Sequence, residues 1–329
     1  MRPWFHWPVR ARPLSIAMAM GVVGVAALAL SMPGAGASLR AVNKPKSGSG
    51  AAPLHGPTWQ GERTVTYCVE GGQPLEMSMF APNPVNHPVG AVLQVHGGGW
   101  QTGQRFVSLD QSLTATDLVR AGFVVASIDY RLAPQKKWPD QIIDVLCAAR
   151  FLHANAAQLG IDPNRIAAWG DSAGAQLVSL LGTDNHSLPW DKGPYPDTTE
   201  HMAAIVDEFG PADLGATDWP HYTSVMIRTV FGAWPTAAAP ALIAASPVTY
   251  VEPGDPPFLI IQGTDDHVVP VSQSELLAQR LRAAKVPVDL VLVAHGQHGL
   301  ATAGEVPSAY DISALITNYL VRMLHPGAA

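Results

Sequence analysis

Ser172 stands in the pentapeptide Gly170-Asp171-Ser172-Ala173-Gly174. This is the G-x-S-x-G spacing in which a serine rides a sharp strand-to-helix turn with its hydroxyl presented for attack on a carbonyl. A chain with 30 glycines also produces such spacings by chance, so an ordinary tight turn fits the five residues equally well. A serine nucleophile needs a base to take its proton and a carboxylate to orient that base. Downstream, "GTDDHVVP" offers Asp265 and Asp266, and "HGQHGL" offers His295 and His298, in the chain order serine, acid, histidine. Upstream, "HGGGW" spans His96 to Trp100, and no register from Gly97 onward gives the dinucleotide fingerprint G-x-G-x-x-G. A glycine run has another use. With no Cβ atoms in the way, the backbone N–H groups of Gly98 and Gly99 can turn toward a developing oxyanion. Together these residues could carry out acyl transfer.

The elements that must position them are short. The apolar runs "TVTYCV", "LEMSMF", "AVLQVH", "FVVASIDY", "RIAAWG", "AAIVDEFG", "FLIIQG" and "VDLVLVA" have strand length, and several are uninterrupted by polar residues. Uninterrupted runs indicate strands buried on both faces, as in the centre of a parallel sheet. Between the later runs lie helical patterns: "PDQIIDVLCAARFLHANAAQLG" opening at Pro139, "SQSELLAQRLRAAK" with Ser272 and Glu275 spaced as a capping box, and "VPSAYDISALITNYLVRML". Strands alternating with helices predict a doubly wound α/β domain. Its ligand site is expected at the carboxyl ends of the strands. The four polar motifs each follow one of the apolar runs.

The ordered blocks carry a resemblance beyond the serine motif. "HGGGW", "DYRLAPQKKWPDQIIDV" (129–145), "GIDPNRIAAWGDSAG" (160–174), "FGPADL" (209–214) and "GTDDHVVPVSQSELL" (263–277) follow one another as in α/β-hydrolases of the bacterial carboxylesterase/lipase type. The chain resembles hormone-sensitive-lipase-like esterases and is similar to BD-FAE-like esterases. The resemblance covers the chain from about residue 63 to its end, and implies an α/β-hydrolase fold with a mostly parallel sheet, helices on both faces and a small cap. It also resolves the paired candidates. The family's glycine, acid and Val-Pro register falls on Gly263, Asp266, Val269 and Pro270, so Asp266 is the expected acid and Asp265 a solvated neighbour. The family's histidine lies in a loop with glycine on its C-terminal side, which Gln297-His298-Gly299 fits better than His295, a residue that directly follows the last apolar run. The resemblance makes His96 structural within the oxyanion loop and gives Asp171 a supporting part. His267, next to the acid, is read as having no special role.

The mechanism so implied is ester hydrolysis with Ser172 as nucleophile, His298 as base, Asp266 as orienting acid, and the amides of Gly98, Gly99 and Ala173 as the oxyanion hole. It requires no metal or organic cofactor. The segments 183–200 and 218–251 lack strand character and could cover the site. Both are short, and a linker stands where relatives often carry cap helices ahead of the first strand. A small cap favours short acyl groups or a bulky alcohol part such as a glycan. Trp100, Trp190, Trp219 and Trp234 are candidate pocket walls or ordinary packing. An arylformamidase-like hydrolase of N-formyl amides, a lipase and a peptidase are the enzymatic alternatives. A binding module of the same fold is the non-enzymatic one.

Composition bounds the rest. A chain of 329 residues with 47% hydrophobic and 14% charged residues can bury a large core. Arg2, Arg10 and Arg12 precede an apolar run over 14–32, followed by Ala35-Gly36-Ala37, which reads as a secretory signal cleaved after Ala37, or else as an uncleaved membrane anchor. Either reading places the remainder outside the cytoplasm. Losing residues 1–37 removes three arginines and no acids, taking the formal charge from −6 to −9, which disfavours nucleic acid or anionic lipid as a partner. Residues 38–62 are rich in Gly, Ser, Pro and Ala and read as a linker, leaving 63–329 as the catalytic domain. Cys68 and Cys147 fall on a strand and on a helix face and are expected to be buried free thiols.

Overall fold

All eight apolar runs become strands of one sheet. The computed structural model describes residues 60–183 and 194–324; residues 1–37, residues 38–59 of the stretch read as a linker, and Trp190 lie outside them, and the first strand already takes in Gly61 and Glu62. The strands are β1 (Gly61–Glu70), β2 (Gln73–Ala81), β3 (Val89–Val95), β4 (Val124–Ile128), β5 (Ile161–Asp171), β6 (Ile205–Glu208), β7 (Phe258–Gly263) and β8 (Val288–Val293), in the spatial order β1-β2-β4-β3-β5-β6-β7-β8. β1 and β2 form an antiparallel hairpin and β2 runs antiparallel to β4, whereas every pairing from β4 through β8 is parallel. This is the mostly parallel α/β-hydrolase sheet.

The helices among the described residues are α1 (Leu113–Arg120), α2 (Asp140–Ala154), α3 (Ala156–Leu159), α4 (Ala173–Thr183), α5 (His221–Phe231), α6 (Pro240–Ala244), α7 (Val271–Ala283) and α8 (Ala309–Leu324). The two-residue period of the strands divides the core between two faces. Leu93 and Val95 of β3 and Ile260 of β7 pack with Leu146 of α2, Leu177 of α4 and Leu281 of α7. Val92, Leu259 and Ile261 point the other way and pack with Leu118 of α1 and with Ile312, Ile316 and Leu320 of α8. Central strands therefore show no polar alternation, because both of their faces are covered.

The chain passes from β3 to β4 on one side and then to β5 on the other. Beside β3 the sheet therefore changes its winding direction, and the carboxyl ends of β3 and β5 open a crevice there. The segment 218–251, which lacks strand character, folds into α5, α6 and a short 3-10 turn. Among the described residues, no helix is long and apolar enough to cross a membrane.

Two expectations are corrected. Cys68 and Cys147 are joined in a disulfide with a Cα–Cα separation of 6.4 Å, inside the range a bridge can span. Strict alternation would put Tyr67 and Cys68 on opposite faces of β1, but a register shift between Thr66 and Cys68 leaves both buried and brings Cys68 onto α2. The capping box is absent as well. α7 begins after Pro270 with no side-chain cap, and the Ser272 hydroxyl, one residue inside the helix, donates instead to Asp218 Oδ2 at 2.6 Å.

Candidate active site

Ser172 occupies the single residue between β5 and α4 with φ of +51°, in the left-handed region that a non-glycine residue enters only under constraint. Its N–H donates to Glu208 O at 2.8 Å, and its carbonyl accepts from Gln176 N at 3.1 Å. The turn is held open by close packing. A methyl group on Gly174 would lie 2.1 Å from Val95 O, and one on Gly170 would lie 2.5 Å from the Gly174 backbone. Both glycines of the motif are thus demanded by what they touch. The Ala173 N–H lies at the start of α4, where the helix dipole favours negative charge.

His298 Nε2 lies 3.0 Å from Ser172 Oγ, and His298 Nδ1 lies 2.8 Å from Asp266 Oδ2. A carboxylate can only accept, so Nδ1 carries the hydrogen and a neutral ring leaves Nε2 free to accept from the serine hydroxyl. Asp266 and His298, 94 and 126 positions after Ser172, are thereby hydrogen-bonded with it in one line, each of the three lying just beyond the carboxyl end of β7, β8 or β5. Asp266 is itself fixed by the loop after β7. Oδ1 accepts from Val268 N at 2.7 Å and Val269 N at 2.9 Å, and Oδ2 also accepts from Gln262 Nε2 at 3.1 Å. Burial alone would raise its pKa, but the His298 ring and these N–H donors outweigh it and hold the carboxyl below the usual range. Gln262 is in turn held by Ser274, whose hydroxyl donates to Gln262 Oε1 at 2.9 Å. The rejected candidates sit elsewhere: Asp265 and His295 face each other at 3.7 Å with mostly exposed side chains.

The glycine loop runs past this line of residues. Gly98 adopts φ of +104°, and its carbonyl turns away to accept from Gln101 N and Thr102 N. Gly99 follows at φ of +60°. Gly97 N–H donates to Asp171 Oδ1 at 3.1 Å, tying the loop to the residue before Ser172. Burial pushes the Asp171 carboxyl up to about 6 despite the Gly97 N–H and the nearby His298. His96 Nδ1–H donates to Gly97 O at 2.7 Å, and its ring stacks on Tyr130 at 4.3 Å. The Tyr130 hydroxyl donates to His96 O at 3.1 Å.

Trp100 is buried, at 2% exposure, with its indole N–H donating to Gln176 Oε1 at 2.9 Å and its ring edge-on to Phe231 at 5.0 Å. It supports the glycine loop from beneath. Trp219 is also buried and bonded to Asp213 O, while Trp234 is about half exposed under Arg228.

Three neighbours of the site lie outside the residues that its motifs mark. Phe209, at φ of +48°, sets its ring against the His298 ring at 4.8 Å. Gln262 holds the acid, and Tyr130 holds His96. Gln262 carried a signal, being a polar residue closing the apolar run "FLIIQG". Tyr130 lay inside the "DYRLAP" block. Phe209 carried none, since its role comes from a turn.

The family model described as BD-FAE matches residues 77–281. The chain is 30% identical over 228 residues to the probable carboxylic ester hydrolase LipM of Mycobacterium tuberculosis, covering 68% of this chain and 52% of that protein. It is 31% identical to esterase LipC of the same organism, covering 79% and 65%. It is also 30% identical to that organism's carboxylesterase NlhH, covering 80% of this chain and 82% of that one. The chain thus spans about half to two thirds of the first two relatives' length. Among solved structures, a truncated carbohydrate esterase from gut microbiota superposes with a TM-score of 0.68 at 25% identity, covering 82% of this chain and 99% of that one. The butyrate-bound Est2 esterase of Thermogutta terrifontis gives 0.67 at 25% identity, covering 82% and 96%.

Proposed function

The chain belongs to the BD-FAE family, within the α/β-hydrolase fold, and from that premise we propose that it is a serine carboxylesterase cleaving esters of short acyl groups through an acyl-enzyme on Ser172. The observation that carries this reading is the hydrogen-bonded line Asp266–His298–Ser172 beside the glycine loop. His298 Nε2 takes the hydroxyl proton as Ser172 Oγ attacks the ester carbon, and the resulting imidazolium is stabilised by Asp266. The carbonyl oxygen becomes an oxyanion held by the N–H groups of Gly98, Gly99 and Ala173, each such donor being worth about 3 kcal/mol. His298 then protonates the departing alkoxide. Water, deprotonated by the same ring, attacks the acyl-serine and releases the acid.

The relatives' names support ester hydrolysis, and Est2, a structural neighbour, is bound to butyrate. The small cap supports a short acyl group, and the carbohydrate-esterase neighbour is consistent with a glycan-linked ester. The protein acts outside the cytoplasm, exported by residues 1–37 or held at the membrane through 14–32. The Cys68–Cys147 disulfide supports this placement, because such bonds persist in oxidising compartments.

A panel of p-nitrophenyl esters from acetate to palmitate tests the reading. The expected rate is highest at or below butyrate and falls steeply beyond it. A rate that rises toward palmitate would replace the short-acyl reading with a lipase. Hydrolysis of N-formyl aromatic amides without ester hydrolysis would replace it with a formamidase.

A further inference from the structure

We propose that Met226 of α5 forms the wall of the acyl side of the site and sets the length of acyl group that the enzyme accepts. The proposal rests on the esterase reading above.

The chemistry of the step divides the space around the ester carbon. The leaving oxygen must lie beside His298 Nε2 to receive its proton, and the carbonyl oxygen must face Gly98, Gly99 and Ala173. The acyl chain is left with the remaining direction, away from both, and the proposal assigns it the side of the glycine loop that Met226 covers. Met226 stands at that loop. A methyl group placed on Gly99 would meet Met226 Sδ at 2.8 Å and its Cε at 3.9 Å. The thioether is therefore seated on one of the oxyanion glycines, while its residue remains partly open to solvent.

Position alone would mean little if α5 could drift, but it is pinned at both ends. The Thr223 hydroxyl donates to Val268 O at 2.8 Å, and Val268 belongs to the loop whose N–H groups hold Asp266. At the other end, the Phe231 ring packs against Trp100 at 5.0 Å and Trp138 at 5.1 Å, and Trp138 N–H donates to Val230 O at 3.3 Å. Met226 is thus carried on a helix anchored both to the loop of the acid and to the tryptophan beneath the glycine loop.

The same face of α5 continues outward with Tyr222, four residues before Met226, and Val225, which are 69% and 40% exposed. An unbranched thioether closes the inner end of this apolar stripe. Methionine fills an irregular gap with little shape of its own, so trimming it opens room rather than unseating a packed core.

The test uses two series of esters with the full-length protein: p-nitrophenyl esters from acetate to octanoate, and acetates of ethyl, benzyl and naphthyl alcohols. Met226→Ala is expected to raise the octanoate-to-acetate ratio of kcat/KM about tenfold, within the range a few methylenes of pocket space supply. Met226→Trp should lower that ratio, and Met226→Leu should track the parent. The alcohol series should keep its order in all three. The proposal is overturned if Met226→Ala and Met226→Trp both leave the acyl ratio within twofold, or if they reorder the alcohol series instead. A parent enzyme that hydrolyses neither series would overturn the esterase reading, and the acyl wall with it.

Discussion

A neutral imidazole must receive a proton on one side while donating on the other, and the surroundings of Asp266 make that division one-sided. Its Oδ2 lies 2.8 Å from His298 Nδ1, and its Oδ1 is occupied by two backbone N–H groups. The carboxylate is held anionic and cannot rotate to release the ring. Asp266→Asn, which replaces an acceptor by an amide and lets the ring take the other tautomer, should lower kcat on the order of 10⁴-fold. Asp265→Asn should leave it within about twofold, because Asp265 is exposed beside His295. Steady-state kinetics on a p-nitrophenyl ester measures both, and equal losses in the two variants would contradict the assignment. The family register points to Asp266 of these adjacent aspartates, and Asp266 is the one hydrogen-bonded to His298. Trp100 was not legible in the same way. Its place beneath the loop depends on a hydrogen bond to Gln176, 76 residues away, which no local pattern encodes.

Elements were legible in proportion to how completely the core covers them. The central strands announce themselves because both of their faces are buried, so apolar runs such as "FLIIQG" admit few other readings. α7 was legible as a helix but not in its start, since Ser272 finds a partner in Asp218, a residue 54 positions earlier. The disulfide was hidden by the bulge in β1, which breaks the two-residue period at the position that matters. It fastens the sheet-edge hairpin to α2 across 79 residues of sequence. Closing a loop of that size restricts the unfolded chain, and its loss should cost about 2–4 kcal/mol. Cys68→Ser, Cys147→Ser and reduced parent protein should therefore share one lowered melting temperature. A parent protein whose melting is indifferent to reductant would contradict the link.

Over the whole molecule, the site is placed in a sheet that buries several carboxyl groups near the serine turn. Burial pushes the Glu208 carboxyl up to about 8 despite the Trp169 indole N–H that it accepts at 2.5 Å. In the unfolded chain the same group titrates near 4.3. Between those values the folded protein holds a proton that the unfolded chain has lost, so stability falls as pH rises through this window. Glu208→Gln keeps an acceptor for Trp169 and removes the titration. Its melting temperature relative to the parent should climb from pH 5 to pH 8.5 by about 3 °C or more. A difference that stays constant with pH would assign the loss to some other group.

The central claim is that Ser172 is the nucleophile, and covalent capture tests it most directly. Paraoxon phosphorylates a serine hydroxyl that a neighbouring base activates. Treating this protein with paraoxon, measuring residual p-nitrophenyl butyrate hydrolysis and locating the adduct by peptide mass spectrometry gives one readout for chemistry and one for place. The account predicts one adduct per chain, on Ser172, with activity lost in proportion to labelling, and neither adduct nor activity in Ser172→Ala. An adduct on another residue, or ester hydrolysis retained by Ser172→Ala, would contradict it.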